Sequence, residues 1–143
     1  MELDEQHLEF LRVEHSAAMI TIGSDGIPKV ARVGVALVDG RLRSSGKQDR
    51  VRTGRLRRDP RCTLYVHSKT PDWLGLETSV VILDGPDAPQ LNLELFRVMQ
   101  GRPTGPMWWY GEELEEDAFL ERMAAEERLI YEFDIQRIYG PRP

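Results

Sequence analysis

Cysteine is almost missing from this chain of 143 residues. Cys62 stands alone, so no internal disulfide can form. Histidine is scarce as well: His7, His15 and His67 fall in separate segments, with no H-x-x-x-H, Cys-His or H-E-x-x-H spacing. A dedicated metal site is therefore not expected. No serine occupies a G-x-S-x-G elbow, and neither a P-loop nor a G-x-G-x-x-G run occurs. Long apolar runs are lacking too, none approaching the ~20 residues that span a bilayer. The acidic opening Met1-Glu2-Leu3-Asp4-Glu5 has neither the basic nor the apolar region of a signal peptide. These absences favour a cytoplasmic location without membrane association. With no repeat, linker or low-complexity stretch, residues 1–143 read as a single domain. Hydrophobic residues at 41% and charged residues at 30% are ordinary for a soluble fold.

What is present is a concentration of charge. Nine basic residues lie between Arg41 and Arg61, opposed only by Asp49 and Asp59. The stretch therefore carries +7 within a chain of net −5, leaving −12 for the remainder. Such a patch repels itself, and an anionic partner would relieve it. Arginine outnumbers lysine sixteen to three throughout the chain, which weakens an argument from arginine count alone.

Hydrophobic patterning predicts a helix from Asp4 to Leu11, then a buried strand over Ala17–Ile22. Asp25-Gly26 and Asp39-Gly40 are hairpin turn signals around an alternating strand after Pro28. Asp49 is the expected N-cap of a short basic helix that ends before Asp59-Pro60. Strands follow at Cys62–Val66 and Trp73–Leu83. Asp87 is expected to cap a helix ended by Gly101 and Pro103, and Pro103–Gly111 reads as a loop. An acidic helix over Glu112–Glu127 precedes a last strand from Leu129 to Ile135. About six strands with a few helices predict a mainly β, α+β antiparallel barrel.

Three constellations bear on function. The first joins Ser44, Ser45, Gly46 and Lys47 to Arg50 and Arg52 at the start of the basic helix. Hydroxyls, flexible backbone, an amine and a helix N-terminus suit a phosphate. The competing reading is a solvated basic face paired with the acidic helix. The second is Trp108-Trp109-Tyr110, which could wall a planar ligand, cover a dimer interface or plug the barrel; Trp73 carries the same ambiguity. The third is negative. Cys62 falls among apolar strand residues, an inert core position, and no nucleophile with its base is visible. Nucleic-acid binding is disfavoured by the net acidity and by the lack of aromatics interleaved with the arginines. An anion site without an acid or base points to a bound cofactor that carries the chemistry.

Taken in order, Ala17–Ile22, Asp25-Gly26-x-Pro28, Arg50-x-Arg52-Thr53-x-x-Leu56-Arg57-Arg58-Asp59-Pro60-Arg61 and Ile138-Tyr139-Gly140 resemble the pyridoxamine-phosphate-oxidase-like split β-barrel oxidoreductases. Within that superfamily they are most similar to the small actinobacterial branch that uses the deazaflavin coenzyme F420. The resemblance implies a six-stranded antiparallel split barrel with Greek-key topology and peripheral helices. It also implies a homodimer with cofactor sites at the interface and a small-molecule substrate. The cofactor phosphate would be held by Ser44 to Arg52. Arg32 and Val33 would lie beside its ring together with Trp73, and Trp108, Trp109 and Tyr110 would line the substrate pocket. FMN is the alternative cofactor, and a non-catalytic carrier of F420 or flavin is the alternative role. Catalytic residues are not identified. Arg52 stands where lysine is usual and Arg55 where asparagine is usual, both suiting a more acidic cofactor tail. Ser79-Val80 replaces a frequent Glu-Gly pair.

Overall fold

The computed structural model describes residues 3–141. Met1 and Glu2, which open the acidic N-terminus, lie outside the described residues. Helix α1 (Glu5–Val13) is capped by Asp4, whose carboxylate accepts the His7 N–H at 2.8 Å. Strands β1 (Ser16–Ile22), β2 (Pro28–Gly34), β3 (Ala36–Val38) and β4 (Arg41–Lys47) follow. The two Asp-Gly turns fall between β1 and β2 and between β3 and β4. Helix α2 (Val51–Arg58), strands β5 (Arg61–His67) and β6 (Trp73–Leu83) and helix α3 (Ala88–Gln100) come next. The chain closes with β7 (Met107–Trp109), β8 (Glu112–Leu114), α4 (Glu116–Ala125) and β9 (Arg128–Tyr139).

The main sheet is antiparallel and curled, in the order β2-β1-β5-β6-β9-β4-β3. It has seven strands, not the six expected from sequence. The difference arises at Val35, which interrupts the run after Pro28. Its first half, β2, pairs with β1 at one edge, and its second half, β3, pairs with β4 at the other. One continuous segment thus supplies both edges, and the sheet must curl for this to happen. Such curling hides edge groups that would otherwise be open to pairing with another chain. Inside the curl, alternate residues form the core, among them Leu11, Met19, Leu42, Leu64, Leu76 and Tyr131. Each such leucine contributes roughly 1.5–3 kcal/mol by leaving water.

A second, smaller core lies outside the sheet. Leu93, Met107, Trp109, Phe119 and Met123 bring α3, the β7–β8 hairpin and α4 together. A third cluster of Ala36, Val38, Leu95 and Ile130 fastens α3 to the sheet.

Several local expectations are corrected. Asp49 does not cap α2: Arg50 holds the N-cap position and no side chain caps it. The entry is instead fixed by Thr53, whose hydroxyl donates to the Lys47 carbonyl at 2.6 Å. Arg50 therefore precedes the first turn rather than sitting in it. Asp87 occupies the N-cap of α3 but forms no side-chain cap bond, whereas Gly101 ends that helix at φ 64° as expected. The expected loop around Trp108 is a hairpin closed by Tyr110 (φ 47°) and Gly111 (φ 84°), two left-handed residues in succession. The acidic helix begins at Glu116, since residues 112–114 are taken by β8.

Candidate functional site

The basic segment divides by its partners. Arg41 and Arg43 converge on Glu132 at 3.5 and 2.8 Å, Arg57 meets Asp84 at 3.0 Å, and Arg61 meets Asp59 at 2.7 Å. The Arg61 hydrogen bonds pull the Asp59 carboxyl down to about 2. Arg58 donates to the Ile22 carbonyl at 3.0 Å. Among the described residues, Lys47, Arg50, Arg52 and Arg55 reach no carboxylate. The acidic region is not their counterpart. Its carboxylates hold other arginines: Glu112 holds Arg122, Glu113 holds Arg102, Glu116 holds Arg97 and Glu126 holds Arg128. Among the described residues, no ion pair joins the basic face to the acidic helix, the pairing in one of the two readings of the sequence.

A hollow of about 360 Å³ opens where β2, β4, the start of α2, the end of α3 and the β7–β8 hairpin meet. It gathers Arg32, Val33, Ser44, Ser45 and Arg52 with Trp108, Trp109 and Tyr110. Phe96, Met99, Gln100 and Arg128 also line it and were not singled out in the sequence. Arg128 opens a strand whose visible signal is only its apolar alternation. It reaches the pocket because β9 pairs with β4, setting it opposite Lys47. The Nε of Arg52 is buried and has no acceptor among the described residues. An unpaired buried donor on a cation is costly, and an anion seated there would satisfy it. A larger hollow of about 610 Å³ lies between α1 and Ser68–Asp72. It is rimmed by Glu5, Glu9, Glu14 and Asp72, the wrong sign for an anion.

The remaining expected residues separate. Gly46, Lys47, Arg50 and Trp73 do not line the 360 Å³ hollow. Gly46 answers a packing need: a Cβ there would lie 2.3 Å from the Tyr131 ring. That ring is fully buried, and its hydroxyl meets the Thr53 hydroxyl at the base of α2. Trp73 begins β6 in an outward aromatic group, its ring 5.5 Å from Tyr65 and 6.2 Å from Tyr139. Both serine protons are already used within the fold. Ser44 donates to the Gly34 carbonyl at 2.6 Å and Ser45 to Asn92 at 2.5 Å. Each hydroxyl keeps acceptor capacity only, so the cationic side chains are the charged donors left for an anion.

The three consecutive aromatics have distinct roles. Trp109 is core: it packs edge-on against Phe96 and Phe119 and donates its Nε1–H to Glu126 at 2.9 Å. Arg128 covers its ring at 5.0 Å and also donates to Glu126. Trp108 is half exposed beneath Arg102, whose guanidinium carbon stands 5.1 Å from the ring centre. Tyr110 projects at the hairpin tip, 84% exposed. A planar ligand can stack on these rings while its anionic end meets Arg52 and Arg32. The lining holds no carboxylate, imidazole or thiol. Cys62 is remote and buried, and burial pushes its thiol up to about 12. This arrangement suits binding and orienting a ligand; among the described residues its lining offers no general acid or base besides the Tyr110 hydroxyl.

No protein-family model matches the sequence, and no curated protein matches it. Solved structures do. A conserved hypothetical protein of Mycobacterium tuberculosis is 19% identical with a TM-score of 0.75, over 98% of this chain and 84% of its own. An F420 reductase is 17% identical at 0.70, over 96% and 98%. A provisionally assigned pyridoxamine 5'-phosphate oxidase from Listeria innocua is 12% identical at 0.69, over 99% and 100%. This chain shares the fold of these solved structures, among them a protein assigned as a pyridoxamine 5'-phosphate oxidase, the family type that the sequence resembles. Among the described residues, no helix is long and apolar enough to cross a membrane.

Proposed function

We propose that the chain is an oxidoreductase that uses coenzyme F420 to reduce a small conjugated substrate. The observation that carries this reading is the Arg52 guanidinium, orphaned and partly buried beside a wall of aromatic rings. Arg52 and Arg50 would hold the cofactor phosphate, with Lys47 adding charge just before α2 and Arg55 from its last turn. Arg32 and Val33 would border the ring, opposite Trp108. When bound, the deazaflavin supplies hydride transfer. The chain's own residues hold, orient and exclude water, which is what a lining without acid or base can do. FMN shares the ring and the phosphate but lacks the polyglutamyl tail. Several arginines without carboxylates exceed what one phosphate needs and favour the longer anion.

This reading carries a homodimer. The outward cluster of Tyr65, His67, Trp73 and Tyr139 is the surface we assign to a second copy, since aromatic groups exposed together favour association. The test is a pair of fluorescence titrations, with F420 and with FMN, at physiological salt. Sedimentation velocity is run on the same sample. Tight F420 binding by a dimer is expected. A preference for FMN would replace the cofactor and keep the fold-based oxidoreductase. Binding of F420 without turnover of any acceptor would make the chain a carrier, and binding of neither would end the proposal.

A further inference from the structure

The hairpin β7–β8 is short. Its strands are three residues each, and an isolated two-stranded hairpin is marginal in water. Trp109 and Glu112 flank the two-residue turn, so they form the pair that exchanges backbone hydrogen bonds. Trp108, opposite Glu113, then turns its N–H and C=O away from β8. Both groups would be left open at the mouth of the pocket. They are not. The Trp108 N–H donates to Gln100 Oε1 at 3.0 Å, and Gln100 Nε2 donates to the Trp108 carbonyl at 2.9 Å.

We infer that Gln100 is a positioning residue: its side-chain amide takes the place of a third strand beside Trp108 and so sets the aromatic wall. Only a primary amide offers a donor and an acceptor side by side in this way. Gln100 is well placed for it, as the last residue of α3 immediately before the left-handed Gly101. That helix is fastened to the sheet through Leu95. The clamp thus transmits the position of the barrel to a half-exposed ring. Gln100 also lines the pocket itself, so wall and clamp are felt by the same ligand. What that ligand is rests on the F420 reading above; the clamp does not.

The experiment compares Gln100→Ala and Gln100→Glu with the unaltered chain, using two readouts. The first is hydrogen exchange at the Trp108 amide in the ligand-free protein, followed by NMR. The second is affinity for F420 and FMN by fluorescence titration. In Gln100→Ala, exchange at Trp108 should rise and affinity should fall, each by roughly tenfold, as expected for lost hydrogen bonds of ordinary strength. Gln100→Glu can still accept the Trp108 N–H but cannot donate to its carbonyl. It should keep the amide protected while affinity falls, and it carries the test should the alanine variant not fold. Unchanged exchange at Trp108 in the alanine variant, or loss of protection in both, would overturn the clamp. Faster exchange with unchanged affinity for a ligand the unaltered chain binds would overturn its positioning role. If the unaltered chain binds neither cofactor, the F420 reading falls alone, and the exchange rates still decide the clamp.

Discussion

Arginine sits in two contrasting settings in this protein. On the side built from α3, the hairpin and α4, each of Arg97, Arg102, Arg122 and Arg128 ends on a carboxylate. Arg97 also gathers the carbonyls of Arg102 and Gly105. These cations tie turns and strands together. In and just before α2, Arg50, Arg52 and Arg55 reach no carboxylate among the described residues, and the Nε of Arg52 is both buried and unpaired. The residue type is the same; the supply of acids differs. Helix α2 contains no carboxylate, and among the described residues Glu112, Glu113, Glu116 and Glu126 pair with other arginines. Cations that are not used to hold the fold together mark where an external anion would be stabilised.

The strongest way to break this contrast is to remove the core beneath the paired side. Phe119 is fully buried between Phe96 and Trp109. Phe119→Ala should cost about 3–5 kcal/mol in chemical denaturation, as large-to-small core changes do. It should also displace the aromatic wall. Inorganic phosphate should still bind at Arg52, because α2 rests on the barrel core through Leu56. Equal loss of phosphate binding would mean the two regions act as one.

A smaller effect sharpens the other half. Arg52→Ala should weaken cofactor binding by roughly 1.5–3 kcal/mol, the range for a charge-assisted hydrogen bond. Stability should hold or rise, since the orphaned donor disappears with the side chain. Unchanged affinity would take Arg52 out of the site, and a fall in stability would place it with the structural arginines.

How much of this was legible beforehand depended on range. The barrel's strands showed themselves through alternation and Asp-Gly turns, which act within a few residues. The closing of the sheet did not, because it hinges on Val35, one residue inside an unbroken apolar alternation. The basic segment named an anion as ligand, yet the sequence could not say which cations were free. That required knowing that Arg43 faces Glu132 across β4 and β9, 89 positions apart in the chain. Ser44 and Ser45 read as phosphate donors until Gly34 and Asn92 were seen to take their protons. Gly46 read as a flexible cradle, whereas its lack of a side chain makes room for Tyr131. Gln100 carried no signal at all. It is a polar residue at a helix end, and its partner is the backbone of a strand that composition disguised as a Pro- and Gly-rich loop.

The smallest expected effect concerns Glu126, where the paired side meets the pocket. Burial pushes this carboxyl upward, but the Trp109 Nε1–H, the Arg128 hydrogen bond and the charges of Arg128 and Lys47 prevail and hold it below the ordinary glutamate range. A carboxyl lowered in the folded state contributes its stability in full above its unfolded value. That contribution is lost as pH falls through the lowered folded value. Stability of the unaltered chain relative to Glu126→Gln should therefore be flat from neutral pH to the usual glutamate value of about 4.3, and decline only below it. The amide keeps an acceptor for Trp109 but cannot ionise, so it removes this step alone. The size should be modest, since the side chain is partly exposed and solvent screens its charges. Tryptophan fluorescence of the two proteins across an acid titration reads it directly, because the charge beside the Trp109 indole disappears when Glu126 protonates. An acid step of the same size in both proteins would assign it to other carboxylates on the paired side. Around Arg50, Arg52 and Arg55 no such step is expected, since no carboxylate among the described residues holds them.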